Sequence, residues 1–173
     1  MRPPVTKKRV ELLMMALGAS VRGEGRIYFT GGVTALLYGW RTSTIDIDLK
    51  AIPEPAGLYE AIAAVKEREN MNIELASPDD FIPQLPGWQE RSLFIARQGK
   101  LDFYHYDPYA QALSKIERGH PRDKGDVAAM LAAGLVQPER LLDLFHAIEP
   151  ALIRYPAVSA LGFRTEVEAL CAK

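Results

Sequence analysis

Two short segments of the chain carry residue types suited to chemistry at a phosphate. A glycine pair, Gly31-Gly32, is followed 14 residues later by Asp46-Ile47-Asp48-Leu49. Alternate residues of a strand point to the same face, so the carboxylates of Asp46 and Asp48 would lie about 6–7 Å apart on one side. Two carboxylates this close repel each other, and a bound Mg²⁺ or Mn²⁺ reconciles their charges. A pair of such ions holds both oxygens of an in-line phosphoryl displacement, so the pattern predicts metal-assisted transfer at a phosphate.

The glycine pair supplies the second half of such a site. Because glycine has no Cβ, its backbone approaches a triphosphate closely, and the N–H groups that begin the following helix point toward the anion. We therefore predict that Gly31 and Gly32 bind the phosphates of a nucleoside triphosphate (NTP). The alternative is that the two aspartates solvate an exposed strand face and that the glycines form a simple turn.

The elements that must position these residues follow from the spacing of apolar side chains. The pattern predicts α-β-α-β-α-β-β-β and then a run of helices, which is an α+β or mixed α/β fold with a mixed sheet flanked by helices. Ile45, Ile47 and Leu49 are expected to point into the core. We expect a core at 1–107 and a helical subdomain at 108–173 that packs on it as a single compact unit. The strands are predicted at 26–30, 44–50, 72–76, 92–97 and 100–106, and the helices at 5–21, 33–38, 53–69, 108–118, 123–133, 138–148 and 158–172.

The net charge, the cysteine count and the length of apolar runs limit the partners and the cellular location expected for this protein. The net charge is −1, so a polyanion would have to be held by a local basic patch, for which 7–9 and Arg91, Arg97 and Lys100 are candidates if they are not ordinary solvated surface. The single cysteine, Cys171, allows no intrachain disulfide, and no apolar run approaches about 20 residues, which predicts a cytoplasmic protein without a membrane partner.

The segment Phe29-Thr30-Gly31-Gly32, together with the D-I-D-L strand, resembles the signature of the polymerase-β-like nucleotidyltransferase superfamily. Residues 41–49, R-T-S-T-I-D-I-D-L, are similar to a block of the AbiEii-type nucleotidyltransferases, many of which are toxins of toxin–antitoxin pairs. The resemblance covers 28–130. It implies a nucleotidyltransferase fold and an enzyme that transfers NMP from an NTP to an acceptor hydroxyl of RNA, tRNA or a protein, using Mg²⁺ or Mn²⁺. An antitoxin partner is also implied.

The same resemblance implies a third carboxylate on a later strand, beside the first two. Asp102 is the candidate metal ligand or base, because Leu101 and Phe103 flank it as apolar residues flank the first pair. The alternative is an exposed strand aspartate. Arg41, just before the D-I-D strand, is a candidate for binding phosphate or, equally, for a surface ion pair.

A further block, A-L-S-K-I-E-R followed by P-R-D-K-G-D at 112–126, resembles another AbiEii-type segment. It implies that Lys115 contacts the nucleotide phosphates and that Asp123 or Asp126 lies near the active centre. Lys115 and Arg118 share a helix face and would grip a polyphosphate together. In the alternative, the aspartates cap the next helix or pair with Arg118 or Arg122.

One departure from the family pattern concerns the hydroxyl that often follows the first glycine. Val33 follows the glycine pair in place of a serine, so Thr34 offers the nearest hydroxyl and is expected to contribute to the nucleotide site. Two rival hypotheses remain. One is an inactive nucleotide-binding or partner-binding module of the same fold, and the other is a structural α+β protein, which predicts that Asp102 lies far from Asp46.

Overall fold

The computed structural model describes residues 1–173, which divide into two compact units. Unit 1 comprises Met1–Ser77 and Ser92–His105, and unit 2 comprises Pro78–Arg91 and Tyr106–Lys173. The expected division into 1–107 and 108–173 stays a prediction, and the observed units differ from it because residues 78–91 group with the C-terminal helices.

Unit 1 is built on a five-stranded mixed sheet, which confirms the predicted fold class. The strand order is β3-β2-β1-β5-β4. Strand β1 runs antiparallel to β2 and parallel to β5, β2 runs parallel to β3, and β4 and β5 form the predicted antiparallel hairpin. The strands are β1 (Gly25–Thr30), β2 (Asp46–Ala51), β3 (Asn72–Leu75), β4 (Leu93–Gln98) and β5 (Leu101–His105), and the helices are α1 (Lys7–Ser20), α2 (Gly32–Tyr38) and α3 (Leu58–Glu69).

Alternation along the strands separates the two faces of this sheet. Phe29, Leu49 and Phe103 are fully buried in the core that the three helices form with one face. The prediction for Ile45 was wrong, because this side chain is 65% exposed. It precedes the first residue of β2 and so lies outside the alternating pattern.

Helix α3 also begins later than predicted, at Leu58, after two prolines and a left-handed glycine, Gly57, with φ of 87°.

Unit 2 is helical. The predicted start of α5 is confirmed, since a carboxylate oxygen of Asp107 accepts a hydrogen bond of 3.0 Å from the backbone N–H of Tyr109. The helix ends at the predicted glycine, Gly119, with φ of 71°. None of the helices in the chain combines the length and the apolar composition that crossing a bilayer requires. The helices are α4 (Trp88–Arg91), α5 (Pro108–Arg118), α6 (Pro121–Ala132), α7 (Pro138–Ile148) and α8 (Ala160–Cys171), with 3-10 turns at Pro78–Asp80 and Glu149–Arg154.

Candidate functional site

The two aspartates lie on one face of β2. Asp46 and Asp48 are half-buried, whereas Ile47 and Leu49 are fully buried on the opposite face, as the alternation predicted. Asp48 pairs across the sheet with Thr30, the last residue of β1. The carboxylates are therefore held at the end of β1 where the glycine pair begins.

The glycine turn lies against this carboxylate pair. Gly31 has φ of 64°, and a Cβ at this position would lie 3.3 Å from Oδ2 of Asp48. A Cβ on Gly32 would lie 2.1 Å from Oγ1 of Thr44, which is closer than two such atoms can approach. Both glycines are thus required locally, the first by its left-handed backbone and the second by close packing. The structure brings together Gly31, Gly32 and Asp48.

Replacing Gly32 by alanine is expected to destabilise the protein by about 1–3 kcal/mol, because the new methyl group overlaps the side chain of Thr44. Urea denaturation measures the change. Gly125→Ala is the matched control, since Gly125 lies in α6 with nothing within 4 Å of its built Cβ. A helical glycine in open space should gain about 0.5–1 kcal/mol on becoming alanine. Equal stability of the two variants would contradict the packing seen at Gly32.

Sequence reasoning missed two polar residues on the neighbouring strand. Asp46 pairs with Asn72 and Asp48 pairs with Glu74 along β3. The amide nitrogen of Asn72 donates to Oδ1 of Asp46 at 2.6 Å and to Oε1 of Glu74 at 2.8 Å. Arg2 in turn donates to Oδ1 of Asn72 at 2.9 Å. A signal was available, because Asn72-Ile73-Glu74-Leu75 repeats the polar–apolar alternation of the D-I-D-L strand.

The structure does not bring Asp102 beside this pair. Asp102 is level with Arg26, whereas Asp48 is level with Thr30, four residues further along β1. That separation is about 13 Å along the strand. The carboxylate of Asp102 instead accepts a hydrogen bond from Arg97 at 3.1 Å. Because β5 runs parallel to β1, its first residues lie at the end of the sheet remote from the glycine turn, as the structural alternative predicted.

Thr34 and Arg41 occupy different surroundings. Thr34 is fully buried, and its Oγ1 lies 3.0 Å from Nδ1 of His105 in the interior of unit 1. Its hydroxyl is therefore already engaged. Arg41 is half-buried in the loop between α2 and β2, where its backbone N–H donates to the carbonyl of Ala35 at 3.3 Å.

His105 gives unit 1 a pH-dependent stability. Burial lowers the pKa of His105 to about 4, from 6.5 in an unfolded chain. Between these two pKa values the unfolded state binds more protons than the folded state. The contribution of neutral His105 to the free energy of unfolding is therefore complete above pH 6.5 and is lost as the pH falls toward 4. We expect a loss of about 2 kcal/mol between pH 7.5 and pH 5, measured by urea denaturation in a Trp88→Phe background that leaves Trp40 as the reporter of unit 1. The His105→Gln control should lose about 2 kcal/mol less over this interval, and the same loss in both proteins would contradict the assignment.

Lys115 forms a buried ion network with Asp123 and Asp126 in unit 2. Nζ of Lys115 lies 2.8 Å from Oδ2 of Asp126 and 3.6 Å from Oδ1 of Asp123. The guanidinium of Arg118 donates two hydrogen bonds, of 2.6 and 2.8 Å, to Asp123. Burial acts to raise the pKa of Asp123, but the hydrogen bonds and charge of Arg118, together with the charge of Lys115, outweigh it and hold the pKa below its usual value. Lys115 and Arg118 share a helix face as predicted, and that face carries protein carboxylates.

The residues at the glycine turn fit a divalent cation that takes part of its coordination from substrate phosphates and water. No group of three or more His, Cys, Asp or Glu side chains in the chain is arranged to hold a metal ion. Mg²⁺, however, is usually held by one or two carboxylates, and substrate phosphates and water complete its coordination. Asp46 and Asp48 supply two such carboxylates, half-buried, and Asp48 lies against the glycine turn. These two residues fit Mg²⁺ or Mn²⁺ that arrives together with a nucleotide.

Comparison with known proteins identifies the family. A family model described as a nucleotidyltransferase of unknown function (DUF6036) matches residues 19–158, which include the whole sheet of unit 1 and helices α5 to α7. No curated protein and no solved structure matches the chain.

Proposed function

The chain belongs to this family of nucleotidyltransferases, and on that premise we propose that it transfers NMP from an NTP to an acceptor hydroxyl. The observation that carries the proposal is the contact between the glycine turn and the aspartate pair, with Gly31 against the carboxylate of Asp48. This arrangement combines the N-terminal turn of a helix, where backbone N–H groups can bind phosphate, with oxygen ligands for a cation.

Each residue at the turn has a role that follows from its position. Backbone N–H groups at Gly31 and Gly32 would bind the phosphates of the NTP. Asp46 and Asp48 would hold Mg²⁺ or Mn²⁺, which when bound stabilises the negative charge of phosphoryl transfer. Asn72 holds the carboxylate of Asp46 in place through its hydrogen bond of 2.6 Å. The protein's contribution is therefore positioning and electrostatics.

The remaining roles implied by the family resemblance are proposals of the same kind. Thr34 and Arg41 would assist nucleotide binding, Asp102 would serve as ligand or base, and Lys115 and Asp126 would act on the phosphates or near them. Asp102 would have to release Arg97 and approach the glycine turn from a level four residues away along β1, and Lys115 would have to exchange a protein carboxylate for a phosphate oxygen. The acceptor would be RNA, tRNA or a protein side chain, and the chain would act as a toxin with an antitoxin partner.

A second candidate is an inactive nucleotide-binding or partner-binding module. It is favoured by the ion pairs that already engage Asp102 and Lys115. Incubation with each labelled NTP, Mg²⁺ or Mn²⁺, and total RNA or cell extract separates the two candidates. A labelled product is expected for the enzyme. Metal-dependent NTP binding by calorimetry without any product would identify a nucleotide-binding module, and no binding at all would leave a partner-binding module.

A further inference from the structure

A cavity of about 540 Å³ lies within unit 1, between α1, α2 and β4. Helix α1 approaches the sheet very closely at Gly18, where a Cβ would lie 2.3 Å from the carbonyl oxygen of Gln98. The cavity opens beside the earlier turns of the same helix, at Lys7, Glu11 and Met14. Its size falls within the range of small-molecule sites, roughly 300–1,000 Å³.

A β-bulge shapes one wall of this cavity. The pairing of β4 with β5 is irregular between Phe94 and Ala96, so that Ile95 is an extra residue in the ladder. As a result, the consecutive residues Ile95 and Ala96 both line the cavity, although neighbours in a regular strand point to opposite faces. The edge strand is therefore bent specifically where the cavity lies.

His105 supplies an unpartnered polar atom to the cavity. The side chain is 6% exposed, and its Nδ1 is engaged with Oγ1 of Thr34. No fully buried side-chain nitrogen or oxygen in the chain lacks a hydrogen-bond partner. Because Nε2 has no partner in the protein and His105 lines the cavity, this nitrogen opens into it. With its pKa lowered by burial to about 4, the ring is neutral at pH 7 and offers a single donor or acceptor to a ligand.

The other walls indicate the chemistry of that ligand. The ring of Tyr38 lies 4.8 Å from the ring of His105, tilted by 42°, and stacks on Trp40 at 5.7 Å. Tyr38 is still 41% exposed and lines the cavity with its remaining aromatic surface. Met14 adds a polarisable side chain of the kind that packs well against aromatic rings. At the rim, the opposite charges of Lys7 and Glu11 cancel. A flat, uncharged molecule with a hydrogen-bonding edge fits these walls better than a polyanion.

We propose that this cavity, which we call the His105 cavity, binds a neutral heteroaromatic molecule of the nucleoside class, with its ring against Tyr38 and its edge on Nε2 of His105. The site is separate from the aspartate pair. Asp48 shares a sheet face with Tyr104, whereas His105 follows Tyr104 in the strand and lies on the helix-covered face. The proposal goes beyond NMP transfer and does not depend on it.

Titration of the full chain with adenosine, guanosine, cytidine and uridine tests the proposal, with the imidazole nitrogens of His105 followed by NMR. At least one nucleoside is expected to shift the Nε2 resonance saturably at submillimolar concentration. His105→Phe, whose affinity is measured by calorimetry because it lacks the imidazole reporter, should weaken this binding about three- to tenfold through loss of one hydrogen bond. Ala96→Leu, which narrows the cavity and keeps the imidazole of His105, should also weaken it and keeps the test valid if His105→Phe fails to fold.

Leu12→Ala is the matched control, since Leu12 is an apolar α1 residue, 39% exposed, that does not line the cavity. It should leave the nucleoside affinity unchanged. The proposal is overturned by absence of saturable binding for all four nucleosides, or by binding that Ala96→Leu leaves intact. A shift of the His105 Nε2 resonance that saturates at lower concentration with the corresponding monophosphate than with the nucleoside would also overturn it, because the rim carries no net positive charge.

Discussion

The Asp48→Asn variant is expected to transfer NMP on the order of 10³-fold more slowly than the wild type. Stabilisation of transition-state charge by a bound cation is worth several kcal/mol, and each 1.4 kcal/mol corresponds to about a factor of ten in rate. An amide is nearly isosteric with the carboxylate but binds the cation much less strongly. Asp48 is half-buried and lies against Gly31, so the substitution removes charge at the turn with little change in packing.

The measurement is the initial rate of product formation at saturating NTP and metal, together with a urea denaturation curve for each protein. Unfolding free energies within about 1 kcal/mol of the wild type would show that the fold is intact, since surface substitutions usually change stability little. Asp143→Asn, an exposed aspartate of α7, is the control and should retain the full rate. An Asp48→Asn protein with wild-type activity would refute the proposed mechanism.

The same assay distinguishes the two candidates for a third carboxylate. Glu74 is level with Asp48 on β3, whereas Asp102 is level with Arg26 at the remote end of β1. The strand register predicts that Glu74→Gln lowers the rate of NMP transfer by about tenfold. The substitution removes the negative charge of Glu74 and weakens its hydrogen bond with Asn72. Asp102→Asn should change the same rate less than twofold. The reverse result would assign the third carboxylate to Asp102.

The comparison of Glu74 with Asp102 shows what local patterns determine. Flanking apolar residues establish which face a strand residue occupies, and this argument correctly placed the alternation from Asp46 to Leu49 in β2. They do not establish its level along a neighbouring strand, because level depends on strand order and on direction of pairing. The sheet order, with β1 parallel to β5, joins segments more than seventy residues apart. No local signal in the sequence specifies that pairing.

In unit 2, too, local features were predicted from the sequence and tertiary contacts were not. The start and end of α5 depend on Asp107, Pro108 and Gly119, which act on their own backbone neighbours, and both were predicted. The partners of Lys115 were not, since the hydrogen bond to Asp126 requires α5 and α6 to pack together after the turn at Gly119. Local chemistry defines the ends of helices, whereas tertiary packing decides which charges meet.

Replacing Lys115 by methionine is expected to destabilise unit 2 by about 3–5 kcal/mol. The substitution removes the cation that lies 2.8 Å from the buried carboxylate of Asp126, and breaking a buried ion pair by removing one partner costs this much. A Trp40→Phe background leaves Trp88 as the fluorescent reporter of unit 2 during urea denaturation. Arg164→Met, which breaks an exposed ion pair with Glu168, is the control and should cost less than about 1 kcal/mol.

The double variant Lys115→Met/Asp126→Leu separates stability from catalysis. Removing both charges should restore most of the unfolding free energy, because an apolar pair of similar volume replaces a buried ion pair at little net cost. If Lys115 acts on the phosphates, NMP transfer by the refolded double variant remains low although its stability has recovered. If Lys115 is only a member of the ion network that binds Asp123 and Asp126, activity returns with stability. Failure of the double variant to recover stability would show instead that the network is required for packing of α5 against α6.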